Sequence, residues 1–157
     1  MMLKSAGCII LHKFDDKWHM LLVHAAGNWK IKKMGIPKGL VEKNEAFDTA
    51  AKRETFEETG LDVEILDEEP IISKTTNKTV YGFLSMLKHK SLKKIDENLK
   101  VKSIDMNEVD YARFYPLEKA KELIYNYQIP FVTAAQTFVD IWKLQSLQAA
   151  KNFLSKP

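Results

Sequence analysis

With 157 residues, 18.1 kDa and 45% hydrophobic side chains, the chain matches one compact domain with an apolar core, which excludes a disordered or repeat protein. A net charge of +3, with lysines interspersed among acids, is too weak to diagnose nucleic-acid binding and suits an anionic substrate. The lone Cys8 leaves no intrachain disulfide, and no stretch nears the roughly 18 apolar residues of a membrane span. The expectations are one domain over residues 1–157, a cytoplasmic setting and no membrane contact; the N-terminus lacks the pattern of a signal peptide.

Residues 7–13 predict a strand, with Cys8 a buried structural thiol in its apolar run. Asp15-Asp16 predicts a turn, and residues 18–24 a second strand whose apolar run from Met20 to Val23 suits burial on both faces. A polar loop with Gly27, Asn28 and Trp29 leads into Met34-Gly35-Ile36-Pro37-Lys38-Gly39, where proline and glycines set an irregular backbone. A helix follows from about Glu45 to Thr59, stopped by Gly60. Residues 62–66 alternate polar and apolar. Residues 71–75 and 79–87 predict a second hairpin, with Tyr81 and Phe83 on one face and Val80, Leu84 and Met86 on the other.

Residues 88–102 carry six lysines interrupted by Leu92, Ile95, Leu99 and Val101. A solvated loop or edge is the first reading, and a grip on polyphosphate or RNA backbone the second. Pro116 opens a helix through about Tyr125, and Pro130 a longer one. In the latter, Phe131, Ala134, Ala135, Phe138, Ile141 and Trp142 recur at helical spacing, a core stripe first and a partner surface second, with Trp142 packed on the sheet. The alternating order predicts an α/β (α+β) fold with a mixed sheet.

The chemistry concentrates in residues 39–61, GLVEKNEAFDTAAKRETFEETGL. On a helix, Glu54 has Glu58 at i+4 and Glu57 at i+3, so three carboxylates crowd one side of the last two turns. They repel one another and sit at the negative end of the helix dipole. A hard divalent cation, magnesium or manganese, resolves the conflict, because it takes carboxylate, carbonyl and water oxygens together with substrate phosphates. The plainer reading is a solvated acidic face with Arg53 paired to Glu57.

The spacing resembles the Nudix box, G-x5-E-x7-R-E-U-x-E-E-x-G-U with U a large aliphatic residue. Gly39, Glu45, Arg53, Glu54, Glu57, Glu58, Gly60 and Leu61 match, and Thr55 stands at the first U, where it weakens one aliphatic contact but touches no carboxylate. Ser5-Ala6-Gly7, the Ile36-Pro37-Lys38-Gly39 lead-in and residues 108–117 are also similar to MutT-like Nudix proteins. The resemblance implies a loop-helix-loop box on an α/β/α sandwich and hydrolysis of a nucleoside diphosphate linked to another group. It implies a metal held by Glu54, Glu57 and Glu58, with the Lys38 main-chain carbonyl as a further ligand and Lys38 at the substrate. Arg53 would hold a box glutamate by hydrogen bonding, and Glu45 would serve structure near the helix start, where a carboxylate favours the exposed N–H groups.

Many relatives add an acidic loop residue six positions before an aromatic that opens the next strand. Glu108 precedes Phe114 by six and is the expected additional metal ligand or general base, with Asp105 and Glu97 behind it and a water-facing carboxylate as the plainer reading. Gln128 falls where some relatives read a base edge with an amide, a group that both donates and accepts. Trp29 and Tyr81 are candidates for base stacking, or else wall or core. His12, His19, His24 and His89 lack metal spacing, and only His24 is placed to border the site.

A diphosphate resists attack because anionic oxygens shield its phosphorus and its leaving oxygen carries charge. A divalent cation relieves both, and Glu54 or Glu108 would accept the proton of the attacking water. The box does not choose among dinucleoside polyphosphates, oxidised nucleoside triphosphates, ADP-ribose, nucleotide sugars and triphosphate-ended RNA. The Pro37-Lys38-Gly39 lead-in resembles that of dinucleoside polyphosphate hydrolases and ranks them first. Pyrophosphate removal from RNA 5′ ends would need residues 88–102 to face the cleft. A non-catalytic nucleotide- or RNA-binding regulator would have lost box carboxylates, and none is lost. The expected assembly is a monomer or homodimer.

Overall fold

The computed structural model describes residues 2–156. The first predicted hairpin forms from β1 (Leu3–Phe14) and β2 (Lys17–Ala25), both longer than their apolar runs. Asp15 and Asp16 at its tip have φ of 48° and 62°, the left-handed region that a two-residue hairpin turn demands and that short polar side chains tolerate. The remaining strands are β3 (Lys38–Leu40), β4 (Val63–Ile65), β5 (Ile71–Lys74), β6 (Lys78–Leu87) and β7 (Val109–Pro116). The sheet runs β4-β6-β1-β2-β7, with β3 added to β1 and β5 to β6. The β1–β6 pair is parallel and the other pairings are antiparallel, so the sheet is mixed as predicted.

Both sheet faces are apolar, because alternate residues of β1, β2 and β6 serve two separate cores. Cys8, Ile10, Leu21 and Phe83 pack on helix α1 (Phe47–Thr59) through Ala50 and Ala51. Ile9, Leu11, Met20, Leu22, Val80 and Leu84 pack on helices α2 (Leu117–Leu123) and α3 (Ile129–Leu154). The result is an α/β/α sandwich, with Tyr81 and Phe83 opposite Val80, Leu84 and Met86 as the alternation requires. Among the described residues no helix is long and apolar enough to cross a membrane.

Helix α1 begins at Phe47, two residues later than the sequence suggested, because Glu45 belongs to a turn closed by its N–H on the Glu42 carbonyl. Ala51, Thr55 and Glu58 follow one another at helical spacing along its buried side. Thr55 is fully buried and its hydroxyl has at most the Cys8 thiol as a weak partner. Thr55→Val should therefore raise stability by about 1 kcal/mol, since an isosteric methyl removes a poorly paired polar atom. A urea midpoint shifted upward with an unchanged slope would show it; a midpoint shifted downward would mean the hydroxyl is satisfied.

Residues 88–102 keep their lysines at 88, 90, 93, 100 and 102 exposed, in line with the first reading, but their backbone is anchored and bridges β7 at Arg113. A 3-10 turn at His89–Lys94 and a bridge between Ile95 and Val101 fold them against the end of α1, with Val101 in the core and Leu92, Ile95 and Leu99 partly buried against it. Lys94 donates to the Gly60 carbonyl and Lys90 lies 3.5 Å from Asp62, so these cations close the helix terminus.

Helix α2 stops at Leu123, short of Tyr125, because Ile124 forms a bridge with Met34. In α3 the core stripe ends at Val139. Ile141 is 50% exposed, and Trp142 meets the sheet only edge-on through Trp18, at 5.4 Å, with Lys13 over its ring.

Candidate active site

Arg53 organises the box. Its Nε and Nη2 donate to the two oxygens of Glu45 at 2.7 and 2.9 Å, and Nη2 also reaches the Leu40 carbonyl at 3.2 Å. Nη1 donates to Glu54 at 2.9 Å and Glu57 at 3.2 Å. A planar fork suits this task because its donors are fixed relative to one another. The bidentate bond holds the Glu45 carboxyl down at about 2, aided by the Glu42 N–H. Glu45 thus ties the loop before α1 to the helix through Arg53 and does not cap it; the N-cap, Ala46, makes no side-chain cap bond.

The three crowded carboxylates separate by burial. Glu57 is more than half exposed, beside Arg53. Glu58 falls on the buried stripe and is 7% exposed, accepting a long bond (3.3 Å) from the Lys38 N–H. Loss of solvent pushes its pKa up to about 8, opposed by Lys38 and reinforced by the charges of Glu54 and Glu108. Glu54 lies between; burial raises its pKa, Arg53 lowers it, and the charges of Glu57 and Glu108 raise it again. Its carboxylate sits where a Cβ on residue 39 would project, so the box glycine is the only residue that leaves room for it.

Glu108 reaches the same cleft from the loop before β7. That loop is pinned to the end of α1 by Asp105 N–H on the Glu58 carbonyl (2.9 Å) and Ser103 Oγ on the Thr59 carbonyl (2.6 Å). The Glu108 carbonyl accepts from Ala26 at 3.0 Å, which fixes the opposite side. Asp105 is a turn residue bonded to the Asn107 N–H, Glu97 is exposed, and neither lines the cleft. Phe114 does not open the strand after Glu108: β7 starts at Val109, and Phe114 is buried in its middle.

The cleft holds about 450 Å³ and joins Glu58 and Glu108 to Lys38, Lys78, Asn28, Tyr125 and Tyr127. Burial lowers the Lys78 pKa and the neighbouring Lys38 lowers it further, the mark of two ammonium groups facing one space. Among the described residues neither lysine forms an ion pair. Lys78, Tyr125 and Tyr127 escape sequence reasoning, because Lys78 reads as a hairpin turn residue and the tyrosines as a helix end. The one available signal is the run Tyr125-Asn126-Tyr127-Gln128 between two proline-opened helices.

Gln128 is at the cleft but fully buried, and its amide works inward. Oε1 accepts from the Ile36 N–H at 2.9 Å and Nε2 donates to the Tyr127 hydroxyl at 2.9 Å, which braces the segment leading to Lys38. Tyr81 stacks on Phe47, with centroids 4.2 Å apart and planes within 10°, beneath α1 and away from the cleft. Trp29 is 71% exposed in a neighbouring depression, which His24 also borders.

Among the described residues, no three His, Cys, Asp or Glu side chains close into a ready-made metal cluster, since Arg53 draws Glu54 and Glu57 toward itself. The donor set nevertheless fits a hard divalent cation. Glu58 is a buried carboxylate with one weak bond, and Glu54 and Glu108 are close enough to raise its proton affinity.

The NUDIX domain family model matches residues 1–134. The fold is similar to that of a C. elegans Ap4A hydrolase in a binary complex, with 22% identity and a TM-score of 0.69 over 88% of this chain and 98% of that one. It is similar to a mutT/nudix family protein from Listeria innocua, with 18% identity and a TM-score of 0.66 over 91% and 97% of the two chains. A NUDIX-family hydrolase from Clostridium perfringens gives 19%, 0.64, 88% and 98% in the same order. No curated protein matches the chain. Since the family model takes in the sheet, the box helix and the start of α3, the chain belongs to the NUDIX family of pyrophosphohydrolases.

Proposed function

We propose that the protein hydrolyses a pyrophosphate bond in dinucleoside polyphosphates of the Ap4A type, with other nucleoside polyphosphates as secondary substrates. The observation that carries this reading is the single cleft in which Glu58 and Glu108 face Lys38 and Lys78. A polyphosphate bound with a divalent cation needs both signs of charge within one space. The likeness to the C. elegans Ap4A hydrolase and the Pro37-Lys38-Gly39 lead-in support placing dinucleotides first.

Glu54, Glu57 and Glu58, with the Lys38 main-chain carbonyl, would hold magnesium or manganese. The cation, when bound, neutralises phosphate oxygens and makes water a better nucleophile. Lys38 and Lys78 bind the remaining phosphate charge. Arg53 orients Glu54 and takes no proton, its pKa being raised further by the Glu45 carboxylate. Tyr125 and Tyr127, with centroids 5.9 Å apart, form the aromatic wall for a nucleoside, and Ser73 holds the latter in place through its carbonyl. Gln128 positions that wall and the Ile36 backbone.

Glu108 is the assigned general base. One Glu54 oxygen is committed to Arg53, whereas the Glu108 side chain makes no hydrogen bond among the described residues. Glu108→Gln should lower kcat by roughly 10²-fold or more and change KM little, as for a group that acts in the transition state. An unchanged kcat would move the role to Glu54. The reading as a whole is tested by incubating dinucleoside polyphosphates, nucleoside triphosphates, ADP-ribose, nucleotide sugars and triphosphate-ended RNA with magnesium or manganese and resolving the products by chromatography. Cleavage of another class with dinucleotides untouched would overturn it. The RNA reading gains nothing from the fold, since no lysine of residues 88–102 lines the cleft.

A further inference from the structure

We infer that a second depression, beside the cleft and centred on Trp29, is the subsite for the distal base of a substrate that carries two nucleosides. This rests on the proposed hydrolysis of such substrates. The depression holds about 520 Å³ and presents Trp29, Ile31, Met34 and Tyr111.

Its position follows from the chain path. Val23 and Ala25 line the catalytic cleft while His24 between them lines the depression; Val109 lines the cleft and Asp110 the depression; Gly35 lines the cleft and Met34 the depression. The two spaces therefore adjoin at one end of the sheet. Asn28 belongs to the cleft and Trp29 to the depression, so the loop at 28–29 is the rim over which they meet. A polyphosphate leaving Lys38 and Lys78 past Asn28 delivers whatever it carries to the Trp29 face.

The chemistry of that face suits a base. Trp29 is 71% exposed and Ile31 43%, yet the loop is not loose. Ile31 N–H bonds the Asn28 carbonyl at 2.9 Å, and Lys33 Nζ bonds the Glu122 carbonyl at 3.1 Å. His24 ties the loop to β7, with Nδ1 2.7 Å from the Asp110 carboxylate and Nε2 2.5 Å from the Ile31 carbonyl. The Ile31 carbonyl and the Asp110 carboxylate raise the His24 pKa, opposed by burial and by Lys32. The loop that carries this exposed aromatic is tethered on both sides of it, and an exposed aromatic on an anchored loop marks a surface to be covered. Lys30 lies 5.3 Å from the Trp29 ring centroid and Lys32 borders the depression with Asp110, so cations are at hand for the phosphate chain that carries the base. Aromatic platforms of this type bind bases by stacking, without a requirement for sequence.

The test compares wild type with Trp29→Ala and Trp29→Phe on a dinucleoside tetraphosphate and on a mononucleoside tetraphosphate of equal phosphate count. The expected result is about a tenfold fall in the kcat/KM preference for the dinucleotide in Trp29→Ala, with most of it restored in Trp29→Phe. An unaltered preference overturns the subsite. If wild type cleaves neither compound, the proposed reaction fails and the subsite is judged by binding. Calorimetric Kd for a methylene-bridged dinucleoside tetraphosphate should then weaken about tenfold in Trp29→Ala. Equal Kd values in the two proteins overturn the subsite.

Discussion

Glu58→Gln should reduce kcat by at least about two orders of magnitude while leaving the fold intact, the scale of losing one preorganised electrostatic group at the reacting centre. The same variant should be more stable than wild type when no divalent cation is present. Glu58 has a folded pKa of about 8 against an ordinary value of 4.5, so the folded state holds a proton that the unfolded state has released between those pH values. Metal-free wild type therefore loses stability as pH rises from about 4.5 to about 8, with a limiting slope near 1.4 kcal/mol per pH unit. Gln at this position titrates nothing and should flatten the slope. Urea melts in a chelator at pH 5 and pH 8, repeated with magnesium, measure all three effects. A metal-free variant that melts well below wild type at pH 8 would rule out carboxylate crowding as the cause.

Gly39→Ala should be nearly as harmful for a steric reason. The added methyl would overlap the Glu54 carboxylate, and β3 cannot retreat without breaking its pairing to Ala6 on β1. Either Glu54 leaves Arg53 or the Lys38 backbone shifts, and displacement of a catalytic group by about 1 Å can cost 10²-fold in kcat. In a Glu54→Ala background the collision is gone, so the second substitution should add little to the first. Full activity in Gly39→Ala would show that Glu54 need not lie where this structure places it.

Much of the fold is legible in the sequence. The period-two pattern of β6 puts Tyr81 and Phe83 opposite Val80, Leu84 and Met86, the continuous apolar run of β2 gives burial on both faces, and the box spacing points to the family. The distance from Phe114 singles out Glu108, which lines the cleft although Phe114 is mid-strand, because both lie on the same short path from the loop into β7. Other features depend on closure of the fold. Lys78, Tyr125 and Tyr127 come from separate elements and share only the cleft they line. The Gln128 amide looks available in sequence but is already bonded to Ile36 and Tyr127. Helical periodicity also cannot say where packing ends: the α3 stripe runs on to Trp142, while the surface beneath it stops near Val139.

The parallel pairing of β1 with β6 has a kinetic consequence. Its register sets Leu3 against Lys78, 78 − 3 = 75 positions apart, and the box helix lies inside that crossover. The β1–β2 hairpin can close locally within microseconds, but a contact of such high order must first bear the entropy of a long loop. Glu58 is desolvated, and Lys78 brought to face it, only when this closure is complete. The electrostatic strain of the cleft is thus imposed late, on a chain whose hairpin already exists, and should speed unfolding more than it slows folding.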